Sequence, residues 1–168
     1  MSLIWREQMS VANTLIDTEH KYLLEQINHI EEAIKTKENH DIVVETLDNL
    51  VSYTKTHFEH EEIIQYKINY PGHVEHKLEH KEIMKNLYAI KDKLDIVLNG
   101  ENPEDSIHHD SLKDADGNEL EDDHEIHSVT EDDLEPLVRL IRSWVVEHVI
   151  GRDMDMKPYL INRSMDLE

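Results

Sequence analysis

Four stretches of this 168-residue chain set residues alternately three and four apart, the stripe that a bundle helix turns toward its neighbours. The first stripe is Ile16, His20, Leu23, Ile27, Ile30 and Ile34, and the second is Val43, Leu47, Leu50, Thr54, His57, Glu61 and Ile64. The third is His76, His80, Ile83, Leu87, Ile90, Leu94 and Val97, and the fourth is Leu134, Leu137, Ile141, Trp144 and His148. Only four Gly and four Pro interrupt a composition of helix formers. Asn39 or Asp41 can cap the second helix, Tyr70-Pro71-Gly72 separates the second from the third, and Pro136 predicts a fourth helix starting at a cap near Asp133 or Glu135. The first two connections are short, so consecutive helices run antiparallel. The expected fold is all-α, an up-down-up-down four-helix bundle.

Every stripe carries polar residues where apolar ones belong, and a buried polar group costs about 2 kcal/mol or more unless it is hydrogen-bonded, paired or metal-bound. The exceptions cluster. His57 and Glu61 are four apart, as are His76 and His80, so each pair points from one helix face into one volume. In an antiparallel bundle, His20 early in helix one, His57 and Glu61 late in helix two, His76 and His80 early in helix three and His148 late in helix four reach a common level. Five imidazoles and a carboxylate exceed the four ligands of one zinc and suggest two borderline metals sharing carboxylate oxygen. A second carboxylate, Asp153, lies five residues beyond His148, about 140° around an ideal helix, and Gly151 can distort the helix and redirect it.

Composition narrows the alternatives. The chain has no cysteine, which removes thiolate metal sites, disulfides and cysteine nucleophiles. Its net charge of −21 opposes binding to nucleic acid or to an anionic membrane surface. No apolar run reaches the roughly 20 residues of a membrane span and the N-terminus lacks a signal-peptide core, so a cytoplasmic protein is expected. Of the 13 histidines, His29, His40, His60 and His73 lie off the stripes and read as surface residues. Glu62 points about 100° away from Glu61, toward the surface or the back of a ligand.

Much of the negative charge is local: residues 101–135 hold 15 of the 38 acidic residues and a single lysine. Residues 99–133 read as a long acidic loop inserted between helices three and four. Asp116-Gly117 suits a hairpin turn between 107–112 and 120–126. An EF-hand is not expected there, because Gly117 at the sixth loop position puts Leu112 at the first, where an oxygen ligand is required. His108, His109, His124 and His127 among these carboxylates suit cation binding, receipt of iron for the centre or a protein partner, but a solvated mobile loop is the favoured reading; of the functional roles, a partner or structural one is favoured over gating.

The N-terminal Trp5 and Met9, Ile16-Asp17-x-x-His20, His57-Phe58-x-x-Glu61-Glu62, Tyr70-Pro71, His76-x-x-x-His80 and Trp144-x-x-x-His148-x-x-x-x-Asp153 together resemble the hemerythrin family, and the bacterial hemerythrins most closely. The resemblance covers residues 3–98 and 134–160; the family usually joins helices three and four by a much shorter connection. It implies a single domain over 1–168 with an N-terminal arm and two iron ions, one held by His76, His80 and His148 and the other by His20 and His57. Glu61, Asp153 and an oxo or hydroxo group would bridge them. O2 would bind at the open position of the two-histidine iron, in a pocket that Trp144, Val145, Ile64 and Leu24 are placed to line. The function implied is reversible oxygen binding for storage, delivery or transport rather than catalysis. A sensor of oxygen, nitric oxide or redox state acting through a partner is the alternative, and a di-iron oxidase or peroxidase a further one.

Overall fold

A computed structural model describes residues 2–36, 40–99 and 131–161, all helical or irregular, with no strand among them. The chain enters through an extended arm whose 3-10 turn spans Glu7–Met9, followed by α1 (Thr14–Lys35), α2 (His40–Lys67), α3 (His73–Asn99) and α4 (Glu131–Glu147). A second 3-10 turn, Arg152–Met156, leads into the short α5 (Lys157–Leu160). Helix α1 packs on α2 and α4, and α3 packs on α2 and α4, closing a ring of four. None of the described helices is long and apolar enough to cross a membrane.

The stripes are the core. Ile16, Leu23, Ile27, Ile30 and Ile34 of α1, Val43, Leu47 and Leu50 of α2, Leu87, Ile90 and Leu94 of α3 and Ile141 of α4 are all buried. Apart from Ile16 they belong to the larger part of the interior, and a smaller cluster of Val11, Ile16, Ile64, Ile68, Tyr70, Met156 and Leu160 closes the end where the histidines lie.

Local chemistry sets the ends of these helices. Asn13 caps α1, its Oδ1 accepting from the Ile16 N–H at 3.1 Å. Just before it, Ala12 has φ 67°, a strained value for a residue with a Cβ. Asp17 holds that corner: its carboxylate accepts from the Val11 N–H at 2.8 Å and from the Ser10 hydroxyl at 2.6 Å. At the end of α2, Asn69 takes the left-handed conformation at φ 53°. There the Tyr70 N–H bonds the Gln65 carbonyl at 2.9 Å and the Asn69 N–H bonds the Tyr66 carbonyl at 3.1 Å. This is the Schellman pattern, and Pro71 then prevents the helix from resuming.

The structure corrects two boundary expectations. Helix α2 already includes Asp41, which therefore is not its cap, and Asn39 lies outside the described residues. Helix α4 begins at Glu131, so residues 131–133 are helical rather than loop and Pro136 falls in the second turn. Its missing N–H would have bonded the Asp132 carbonyl, a loss that the start of a helix tolerates better than its middle. The proposed hairpin at Asp116-Gly117 and the four histidines of the acidic segment lie outside the described residues.

Candidate metal centre

The seven residues singled out as ligands converge at one end of the bundle, and none is more than 4% exposed. His76, His80, His148, Glu61 and Asp153 offer ligand atoms within 4.8 Å of one another, and so do His20, His57 and Asp153. Asp153 thus belongs to both groups. Its Oδ1 lies 3.0 Å from His76 Nε2 and 3.4 Å from His148 Nε2, while its Oδ2 lies 3.2 Å from His20 Nε2. Glu61 faces the same space from α2, with Oε1 3.4 Å from His76 Nε2 and Oε2 3.4 Å from His80 Nε2 and 3.6 Å from His57 Nε2.

Asp153 reaches this position through a widened turn. The His148 N–H still bonds the Trp144 carbonyl at 2.8 Å, but the Asp153 N–H bonds the His148 carbonyl at 3.0 Å, five residues back rather than four. The extra residue absorbs the 140° offset expected of an ideal helix. Gly151 permits the turn: a Cβ there would stand 2.5 Å from the Glu147 carbonyl oxygen. Arg152 anchors it, donating from Nε to Glu79 of α3 at 3.1 Å and from a terminal nitrogen to Asp155 at 3.1 Å.

All five imidazoles turn Nε2 inward, and three present Nδ1 to a carboxylate behind them. His57 Nδ1 meets Glu19 Oε2 at 3.0 Å, His80 Nδ1 meets Glu62 Oε1 at 3.2 Å, and His148 Nδ1 lies 3.7 Å from Glu79. A carboxylate at Nδ1 fixes the ring orientation and leaves Nε2 as a lone-pair donor. Phe58 fixes the rings from the side, stacking on His80 with centroids 3.7 Å apart and planes 9° from parallel, and meeting His148 edge-on at 5.6 Å.

Inside the cluster many polar atoms lack protein partners, although His76 Nε2 and His148 Nε2 face each other at 3.2 Å. Both nitrogens of His20, Nε2 of His57 and of His80, Oε2 of Glu61 and both oxygens of Asp153 are buried without a hydrogen bond. Orphaned donors and acceptors of this kind are expensive, and a bound cation satisfies them together. Electrostatics agree with ligand character at His148 and Asp153, whereas at His76 burial is outweighed by Asp153 and Glu61, which raise its affinity for a proton. Burial pushes the His148 imidazole down to about 4, keeping it neutral as a ligand must be. Burial opposes ionisation of Asp153, but the surrounding His148, His20 and His76 hold its carboxyl well below the usual range.

Glu62 is salt-bridged to Lys77 behind His80, as its angular offset allows. His29 is exposed, as expected, and the His40 side chain lies outside the described residues. His60 and His73 are not free surface residues: His60 Nδ1 meets Glu19 Oε1 at 2.6 Å, and His73 Nδ1 meets Gln65 Oε1 at 3.2 Å. Sequence spacing missed both because the groups they serve stand off the stripes. Glu19 adjoins His20 and Gln65 is one helical turn beyond Glu61; searching one residue or one turn from each ligand would have found them. Leu24 and Ile64 are buried and Trp144 partly so, whereas the Val145 side chain lies outside the described residues.

Comparison with known proteins agrees with this geometry. The chain has the fold of wild-type hemerythrin, whose crystal structure it matches with a TM-score of 0.68 at 21% identity, covering 95% of this chain and 98% of that one. Crystal structures of a hemerythrin point mutant and of a second point mutant match over the same shares, each with a TM-score of 0.67 at 22% identity. No curated protein sequence matches. The family model for the hemerythrin HHE cation-binding domain matches residues 11–160, from the end of the arm through all seven converging residues to α5, and the chain belongs to that family.

Proposed function

We propose that this protein holds two iron ions and binds O2 reversibly, as a carrier or store rather than a catalyst. The observation that carries the proposal is the set of five inward Nε2 atoms and two carboxylates, buried together with most of their polar atoms unsatisfied. In this reading His76, His80 and His148 hold one ion, His20 and His57 hold the other, and Glu61 and Asp153 bridge them. Bound iron supplies the electrons that reversible O2 binding draws on. The chain's own residues do the rest. Glu19 and Glu62 orient the His57 and His80 rings, and the apolar side chains of Leu24, Ile64 and Phe58 exclude water. Five imidazoles against two carboxylates leave the site poor in anionic ligands, a balance suited to reversible binding.

Metal analysis with anaerobic reduction, exposure to O2 and evacuation tests the reading. Two irons per chain and an O2-dependent charge-transfer band that disappears under vacuum are expected. Fewer than two irons, or no O2-dependent band, would sink it, and a band that bleaches within seconds would favour a sensor.

A further inference from the structure

One buried amide beside the centre is not among its ligands. Gln65, on α2 one turn beyond Glu61, has no exposed surface. Its Nε2 donates to Glu61 Oε1 at 3.3 Å and to Met156 Sδ at 3.1 Å, and its Oε1 faces His73 Nδ1 at 3.2 Å. These partners fix the direction of the amide. A carboxylate and a thioether only accept, so the NH2 group must face them, and the carbonyl then takes the N–H of the His73 imidazole. The three partners come from separate elements: Glu61 from α2, His73 from the first residue of α3, and Met156 from the 3-10 turn that carries Asp153.

We propose that Gln65 is a positioning residue for the metal bridge: its amide, clamped by His73 and Met156, holds Glu61 Oε1 by a hydrogen bond and tunes how much charge that carboxylate gives to iron. The inference rests on the di-iron reading. A hydrogen bond to an anionic ligand withdraws electron density from it and so favours the reduced metal over the oxidised one. The amide also ties the position of the bridge to the α2–α3 turn and to the segment bearing Asp153.

The test compares wild-type protein with Gln65→Leu, which keeps the volume apolar and removes the donor, and with His73→Ala, which releases only the clamp at a partly exposed position. Each is reconstituted anaerobically with ferrous iron and titrated with redox mediators. Gln65→Leu is expected to retain two irons per chain while its ratio of reduced to oxidised iron, at a fixed solution potential, falls about tenfold. His73→Ala is expected to shift the same way by less, and it carries the test alone if Gln65→Leu does not fold. Wild-type redox behaviour in a folded, fully loaded Gln65→Leu, or in His73→Ala where that variant stands alone, overturns the proposal. Failure of the wild-type protein to take up two irons overturns the di-iron reading instead, so the two failures are distinguishable.

Discussion

At the scale of the residue, the centre depends on the groups behind its ligands as well as on the ligands. Glu19 shows why. Burial opposes its charge, yet hydrogen bonds from His57 and His60 hold its carboxyl below the usual range, so it remains an anion wedged between two imidazoles. Replacing Glu19 with Ala leaves His57 Nδ1 unpartnered and is expected to weaken metal binding by about 10- to 100-fold, measured by competition with a chelator. On the di-iron reading, His57→Ala should remove one of the two metals. His60→Ala should keep both with a smaller loss of affinity, because Glu19 still reaches His57. Six of the seven candidate ligands were legible in the sequence because each interrupts an apolar stripe; Asp153 does not. Glu19, His60, Gln65 and His73 were not, because a polar residue off a stripe looks the same whether it meets water or a buried partner.

At the scale of the element, the widened turn after α4 brings the last ligand in. Sequence spacing placed Asp153 on the wrong side of an ideal helix, and Gly151 was the one hint that the helix does not stay ideal. Gly151→Ala would drive a Cβ to 2.5 Å from a backbone carbonyl that cannot easily move. It is expected to cost about 1–3 kcal/mol of stability and to lower metal content, checked by thermal melting and metal analysis of the same sample. The start of α4 was misread for a different reason: caps and prolines mark where a helix can start, and packing against neighbours decides where it does.

At the scale of the whole molecule, the bundle spends stability on its centre. Removing the metal leaves buried imidazoles and carboxylates facing one another, so chelation is expected to lower the melting temperature and reloading to restore it. The metal-free protein should also be acid-sensitive. His148 takes a proton near 6.5 when unfolded but only at about 4 when folded, so its contribution to stability is present above pH 6.5 and drains away as pH falls toward 4. The raised affinity of His76 for a proton offsets part of that loss, while the depressed carboxyls of Glu19, Glu62 and Asp153 add to it at lower pH. Thermal melts of chelated protein between pH 8 and pH 4.5 would show it. Topology has one further effect. Helix α3 runs 19 residues past His80 and α4 begins 17 residues before His148, so about 25 Å separates the candidate ligands from the helix ends that flank residues 100–130. Replacing them with a short polar linker should leave metal uptake unchanged. One end of this molecule is thus closed to change while the other can be rewritten by insertion, deletion or fusion, so a lineage can acquire new attachments without renegotiating its chemistry.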